Sequence, residues 1–170
     1  MTGIIRRVVV GIDDSAASEA ALRRAAHMAR THHAQLHPVL IYSSPEGDYI
    51  DLVWPPDPAT AREQAERARG RLASACGRAL DGTADDLELT PTVVRGQKGP
   101  GLVASACEEG DVLVVGDNRH GLWHRMLLGS VSRYCAHHAR CPLMVVPADE
   151  RPCHARVADR HQARAHDRQE

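Results

Sequence analysis

The chain has 170 residues, of which 43% are hydrophobic and 25% charged, and its net charge is −1. This length and mix predict one globular domain with room for a core and exclude a disordered chain. A near-neutral chain lacks the basic surface that a phosphate backbone demands, so nucleic acid is not expected as a partner.

Arg7 to Ile12 reads as the first strand, with Val8-Val9-Val10 as its apolar centre. That run, after Arg6-Arg7, is too short for the apolar region of a signal peptide. No run in the chain approaches the length of a membrane span, so no membrane partner is expected. The strand ends in Gly11-Ile12-Asp13-Asp14-Ser15. Ser15 suits the N-cap of a helix from Ala16 to Thr31, because its hydroxyl can accept from a free backbone N–H. Ala21, Leu22, Ala25, Met28 and Ala29 recur at helical spacing and are expected to face the sheet. Gln35 to Tyr42 reads as the second strand. Pro38 lies inside it and cannot donate to a ladder, so the strand should begin after Pro38 or leave its first residues unpaired. Ser43 to Pro58 is a long loop carrying Trp54-Pro55-Pro56, of the kind that is often functional. Ala59 to Leu80 follows as a charged helix, stopped by Asp81-Gly82-Thr83.

Leu87 to Val94 reads as the third strand, marked as an edge by Pro91. A turn with three glycines, Gly96 to Gly101, leads into a helix from Pro100 to Glu108. Val112 to Val115 is a continuous apolar run, the pattern of a parallel strand buried on both faces. It stops at Gly116, and a polar loop follows through Arg119 and Gly121. A helix from Val131 to Ala139 and a strand from Leu143 to Val146 complete the domain, residues 1–147. Residues 148–170 hold almost no large apolar side chain and read as a disordered tail or a weak solvated helix. Strands alternate with helices throughout. The chain is therefore expected to form a three-layer α/β domain, with a mostly parallel sheet and helices on both faces.

A strand, a glycine turn, a loop and a helix N-terminus together can hold phosphates. Glycines let backbone N–H groups approach a ligand, and a helix's first turn attracts negative charge. Gly116, Gly129, Ser130 and Ser132 supply these parts, the two serines with hydroxyls to spare. Gly99-Pro100-Gly101-Leu-Val-Ala104 formally matches a dinucleotide fingerprint, but Arg95 to Lys98 separate it from the strand end. Cys135, His137, His138 and Cys141 invite a zinc reading. A fourth ligand at family spacing is missing, and a core cysteine with histidines at a helix C-terminus explains them more simply. The five cysteines form no C-x-x-C pair, which fits a reducing cytoplasm. No nucleophile with an ordered base appears, so no catalytic residue is assigned.

Gly116, position 119 and Gly129-Ser130 resemble the G-x-x-G-x9-G-[S/T] signature of the universal stress proteins. Ser130 to Ala139 and Cys141 to Val146 are similar to that family's last helix and strand, and the likeness runs from Arg6 to Pro147. The one departure is Arg119, where the signature has glycine. The resemblance implies a five-stranded sheet in the order 3-2-1-4-5. A ligand would then lie at the neighbouring ends of strands one and four, the topological switch point. It implies ATP at Ile12, Asp13, Leu40, Val115, Gly116, Arg119, Gly129, Ser130, Val131 and Ser132, with the adenine near Leu40. Asp13 would take a ribose hydroxyl or a Mg2+ that bridges phosphates. The competing role for Asp13 is capping the first helix, which Asp14 and Ser15 can do without it. The resemblance further implies a homodimer through Leu143 to Val146, an uncharged apolar edge that offers itself for pairing. The function implied is a regulatory adenine-nucleotide-binding module in the stress response. The alternatives are a slow ATP hydrolase with Arg119 stabilising transferred charge, and a homodimeric interaction protein of the same fold that binds no nucleotide.

Arg119 separates these readings by sign. If the loop forces a positive φ there, the side chain costs about 1–2 kcal/mol, and Arg119→Gly raises ATP affinity. If the guanidinium reaches the phosphates, the same change removes a charge-assisted bond worth roughly 1.5–3 kcal/mol, and affinity falls most at low salt. A fall is expected, since Gly121 takes up part of the turn's demand. Calorimetric titration of both proteins at two salt concentrations checks it, and a rise would mean that Arg119 obstructs the site.

Overall fold

A computed structural model describes residues 4–43, 53, 56–81, 84–117 and 129–148. Arg119, Gly121, most of the long loop after Ser43 and the tail from residue 149 lie outside the described residues. The elements run β1 (Arg7–Ile12), α1 (Ala16–His32), β2 (Gln35–Tyr42), α2 (Pro58–Leu80), β3 (Thr92–Arg95), α3 (Lys98–Ser105), β4 (Asp111–Asp117), α4 (Ser130–His138) and β5 (Leu143–Pro147). The five strands form one parallel sheet in the order β3-β2-β1-β4-β5. This is the α/β architecture and the strand order that the resemblance implies.

The central strands are buried on both faces. Val8, Val10 and Ile12 of β1 pack with α1 and α2, whereas Val9 joins Leu102 of α3 and Cys135 of α4 on the other face. The period of two along a strand divides the residues between these layers. With no phenylalanine in the chain, the core is aliphatic. The sheet-facing side of α1 is mostly alanine: Ala20, Ala21, Ala25 and Ala29 are fully buried. Such a face lets the helix lie close to the strands. Ser15 caps α1 by accepting from the Ser18 N–H at 3.1 Å. Asp57 caps α2 ahead of Pro58, whose missing N–H costs nothing at the first helical position. No described helix is long and apolar enough to cross a membrane.

Three elements, β3, α3 and β4, differ most from their extents in the sequence reading. β2 runs unbroken from Gln35, and it is β3 that is shortened, to Thr92–Arg95 instead of Leu87–Val94. Leu36 turns its peptide groups toward that side, donating to the Glu88 carbonyl at 2.9 Å and accepting from the Thr90 N–H at 3.0 Å. Alternate residues face the same way, so Pro38 also faces β3 and has no N–H to give. The ladder is interrupted there. A lone bridge joins Leu36 to Leu89, and continuous pairing resumes at Val39 with Thr92. On the β1 side, Gln35 donates to Arg6 and nothing is lost. Next, α3 begins at Lys98, two residues before Pro100, and ends at Ser105. Pro100 is tolerated because a first-turn N–H has no partner within the helix. Finally, β4 continues through Gly116 to Asp117.

The sheet's other end is tied by charge. Arg7, in register with Asp111, donates to both of its carboxylate oxygens at 2.9 and 2.8 Å. It also reaches Glu108 at 2.8 Å. Burial by itself would raise the Asp111 pKa. The Arg7 bonds, the Glu108 N–H and the nearby positive charge outweigh burial and hold the carboxyl below its usual value. A carboxylate with a depressed folded pKa stabilises the fold above its unfolded value of 3.8 and loses that contribution as pH falls through the folded value. Asp111→Asn leaves the guanidinium with only the exposed Glu108 carboxylate and the Ser105 carbonyl and should lower stability near pH 7 by about 2–3 kcal/mol. Urea unfolding across pH should show this gap intact above pH 3.8 and closing below it; a gap independent of pH would deny the ion pair its role.

Candidate functional site

The C-terminal ends of β1 and β4 meet at the centre of the sheet, where β1 turns into α1. Asp14 makes that turn with a left-handed backbone, φ 62°, a conformation that costs a non-glycine residue energy. Its carboxylate is held by Arg71 of α2 at 2.6 Å. Asp13 points elsewhere. It accepts from the Ser15 hydroxyl at 2.6 Å and the Ser15 N–H at 3.2 Å, which fixes its orientation while leaving it exposed. Partial burial raises its pKa, but bonds from Ser15 and Ser18 and the charge of Lys98 prevail, so Asp13 stays below the usual carboxylate range. Of two adjacent acidic residues, one ties helices together and the other remains available at the strand end.

Gly116 is required by close approach rather than by its backbone angles. A Cβ there would lie 2.5 Å from the carbonyl carbon of Ala17 and 2.8 Å from the Ser18 nitrogen. The first turn of α1 therefore crosses directly over the end of β4. On the other side, buried Ser132 donates its hydroxyl to the Gly116 carbonyl at 3.2 Å, which ties α4 to the same strand end. The Ser132 proton is thus already used, while Ser130 is exposed. Gly129 is the N-cap of α4 and offers no side-chain bond to the first turn. A Cβ on it would meet nothing within 4 Å. Among the described residues, no side chain caps the N–H groups at the start of α4.

Between these parts lies an open cleft, lined by Gly11, Ile12, Asp13, Ser18, Val39, Ile41, Lys98, Leu102, Val115, Gly116 and Val131. The structure brings Ile12, Asp13, Val115, Gly116 and Val131 together here, with Gly129 and Ser130 following from the start of α4. Leu40 is different. Its side chain is buried on the opposite face with α1 and α2, while its neighbours Val39 and Ile41 line the cleft. Leu40 meets the strand end only through its backbone, in register with Ile12. Sequence reasoning missed Val39, Ile41, Leu102 and Lys98. Strand alternation puts Val39 and Ile41 on one face of β2, but only the register with β1 shows that this face is the cleft's.

The other motifs resolve as packing. A Cβ on Gly99 would lie 2.7 Å from the Tyr134 ring, and one on Gly101 2.9 Å from Ile41. Those glycines let α3 settle against α4 and β2. Cys135 is fully buried, and burial pushes its thiol up to about 11. His138 stacks on Tyr134 with ring centroids 4.0 Å apart. No group of three or more potential metal ligands occurs among the described residues.

A family model described as the universal stress protein family matches residues 5–147. A universal stress protein of Mycolicibacterium smegmatis is 31% identical over 152 residues, covering 86% of this chain and 50% of that protein. One from Mycobacterium tuberculosis is 28% identical over 143 residues, covering 82% and 46%. The chain spans about half the length of the curated relatives it matches. Among solved structures, the universal stress protein UspA from Lactobacillus plantarum aligns with a TM-score of 0.63 at 22% identity, over 84% of this chain and 97% of that one. A universal stress protein solved in complex with cAMP aligns with a TM-score of 0.54 at 24% identity, over 86% and 99%. At such identities the likeness to solved structures is one of fold.

Proposed function

Because the chain belongs to the universal stress protein family, we propose that it is a regulatory module of the cytoplasm that binds an adenine nucleotide, ATP, in the cleft at the switch point. The observation that carries this reading is the pairing of unlike ends on one apolar slot. Asp13 stands ionised and oriented at the end of β1, and the N-terminus of α4, whose N-cap Gly129 has no side chain, borders the same cleft. A base suits the aliphatic walls of Val39, Ile41, Leu102 and Val115. Phosphates suit the first turn of α4 from Gly129 to Ser132. The cAMP complex of a relative with this fold supports the same ligand class.

Asp13 fits a ribose hydroxyl or a Mg2+ carried by the nucleotide. Ser15 engages only one of its oxygens, Oδ1, and the carboxylate is held in its charged form. Mg2+ would neutralise part of the phosphate charge. Arg119 is proposed as a further phosphate ligand, and the backbone of Leu40 as the strand-end contact for the base. Binding needs only this positioning, so a regulatory role requires no turnover.

We also propose that two copies pair through β5. Among the described residues, β5 is hydrogen-bonded on one side only, to β4, and its Leu143-Met144-Val145-Val146 carries no charge.

Asp13→Ala should weaken ATP binding about tenfold or more, the loss of one or two hydrogen bonds worth on the order of 1.5–3 kcal/mol. Calorimetric titration with ATP and Mg2+ measures this, and unchanged affinity in a folded variant would remove Asp13 from the site. Light scattering at micromolar concentration should give about twice the 18.5 kDa chain mass; a stable monomer would overturn the pairing.

A further inference from the structure

Of the 21 lysine and arginine residues in the chain, Lys98 is the one lysine. It lines the cleft, and among the described lining residues it and Asp13 are the two that ionise. Its position gains nothing for its own helix. Lys98 opens α3, where the helix dipole disfavours a cation. Its charge acts on Asp13 in the same cleft, and no hydrogen bond or close ion pair to another described residue draws it away. The start of α3 also lies against α4: Gly99 approaches the Tyr134 ring so closely that a Cβ would clash at 2.7 Å. The Lys98 stem therefore rises beside the first turns of α4, above the same cleft that Val131 lines.

We propose that Lys98 is a phosphate-binding residue of this cleft, its ammonium answering the negative charge of a nucleotide whose phosphates lie at the start of α4. The proposal rests on the nucleotide reading above and adds to it the cation that the described lining supplies. An ammonium is a donor-only point charge on a flexible stem, suited to follow phosphate oxygens rather than to read a ring edge. Its contribution should therefore track phosphate charge and not the base.

The lone lysine makes the test direct. An amine-reactive acylating reagent can label Lys98 and the α-amino group, with the latter as internal reference in mass spectrometry. Saturating ATP should slow Lys98 acylation about tenfold, while saturating adenosine leaves it unchanged. In parallel titrations, Lys98→Met should lower ATP affinity about tenfold at low salt and flatten its salt dependence, with adenosine affinity unaltered; Lys98→Arg should restore most of the loss. ATP binding with Lys98 equally reactive, or an equal loss for ATP and adenosine, would overturn the role of Lys98 and leave the nucleotide reading standing. No binding of ATP at all would overturn both.

Discussion

The crossing of α1 over the end of β4 is the constraint on which the rest of the site depends. Helix and strand meet there backbone to backbone, because Gly116 has no Cβ and Ala17 little side chain. From that contact follow the direction in which α1 leaves the sheet and the position of its cap, Ser15. The cap in turn aims Asp13. The Ser132 hydroxyl bonds the same glycine's carbonyl from the other layer, so α1 and α4 are fixed on one residue from opposite faces. An open cleft between two helix starts needs such an anchor, since nothing inside the cleft holds its walls apart.

Charge is then distributed so that each group has one task. Asp14 accepts the strain of a left-handed backbone and spends its carboxylate on Arg71, uniting the α1–α2 layer. Asp13 is left oriented and ionised. At the far end of the sheet, Arg7 and Asp111 join β1 to β4 by a forked pair beneath the C-terminal end of α3. The two central strands are thus secured by an ion pair at one end and by close backbone packing at the other.

What could be read in the sequence was whatever a single residue type or a strict period decides. The triple valine of β1 and the apolar run of β4 announced buried parallel strands, and Ser15 announced a cap. Gly116 and Gly129 stood out in the sequence, and the structure treats them differently: a Cβ would clash at the first and meet nothing at the second. What could not be read depends on two segments at once. Pro38 breaks a ladder, but which ladder is set by the side toward which Leu36 turns its peptide groups, and that follows from the order of the strands. Leu40 and Ile41 are equally apolar, and only the register with β1 tells which of them faces the cleft. Lys98 looked like part of a glycine turn until α3 was seen to begin there and to lean on Tyr134. Arg119, the one residue at odds with the family signature, lies outside the described residues.

The alanine face of α1 also bears on how this domain can change over evolutionary time. A helix seated on Ala20, Ala21, Ala25 and Ala29 has almost nothing left to remove. Nearly every mutation at those four positions adds atoms to a closed interface, so damage there comes as overpacking and not as a cavity. Such errors push the helix outward instead of leaving a hole that neighbours can fill, and outward is away from β4 and the strand end that Asp13 completes. Inherited variation should therefore accumulate on the charged outer side of α2, where Glu63, Arg67, Glu66 and Arg69 pair in solvent, and be nearly absent from the seam between α1 and the sheet.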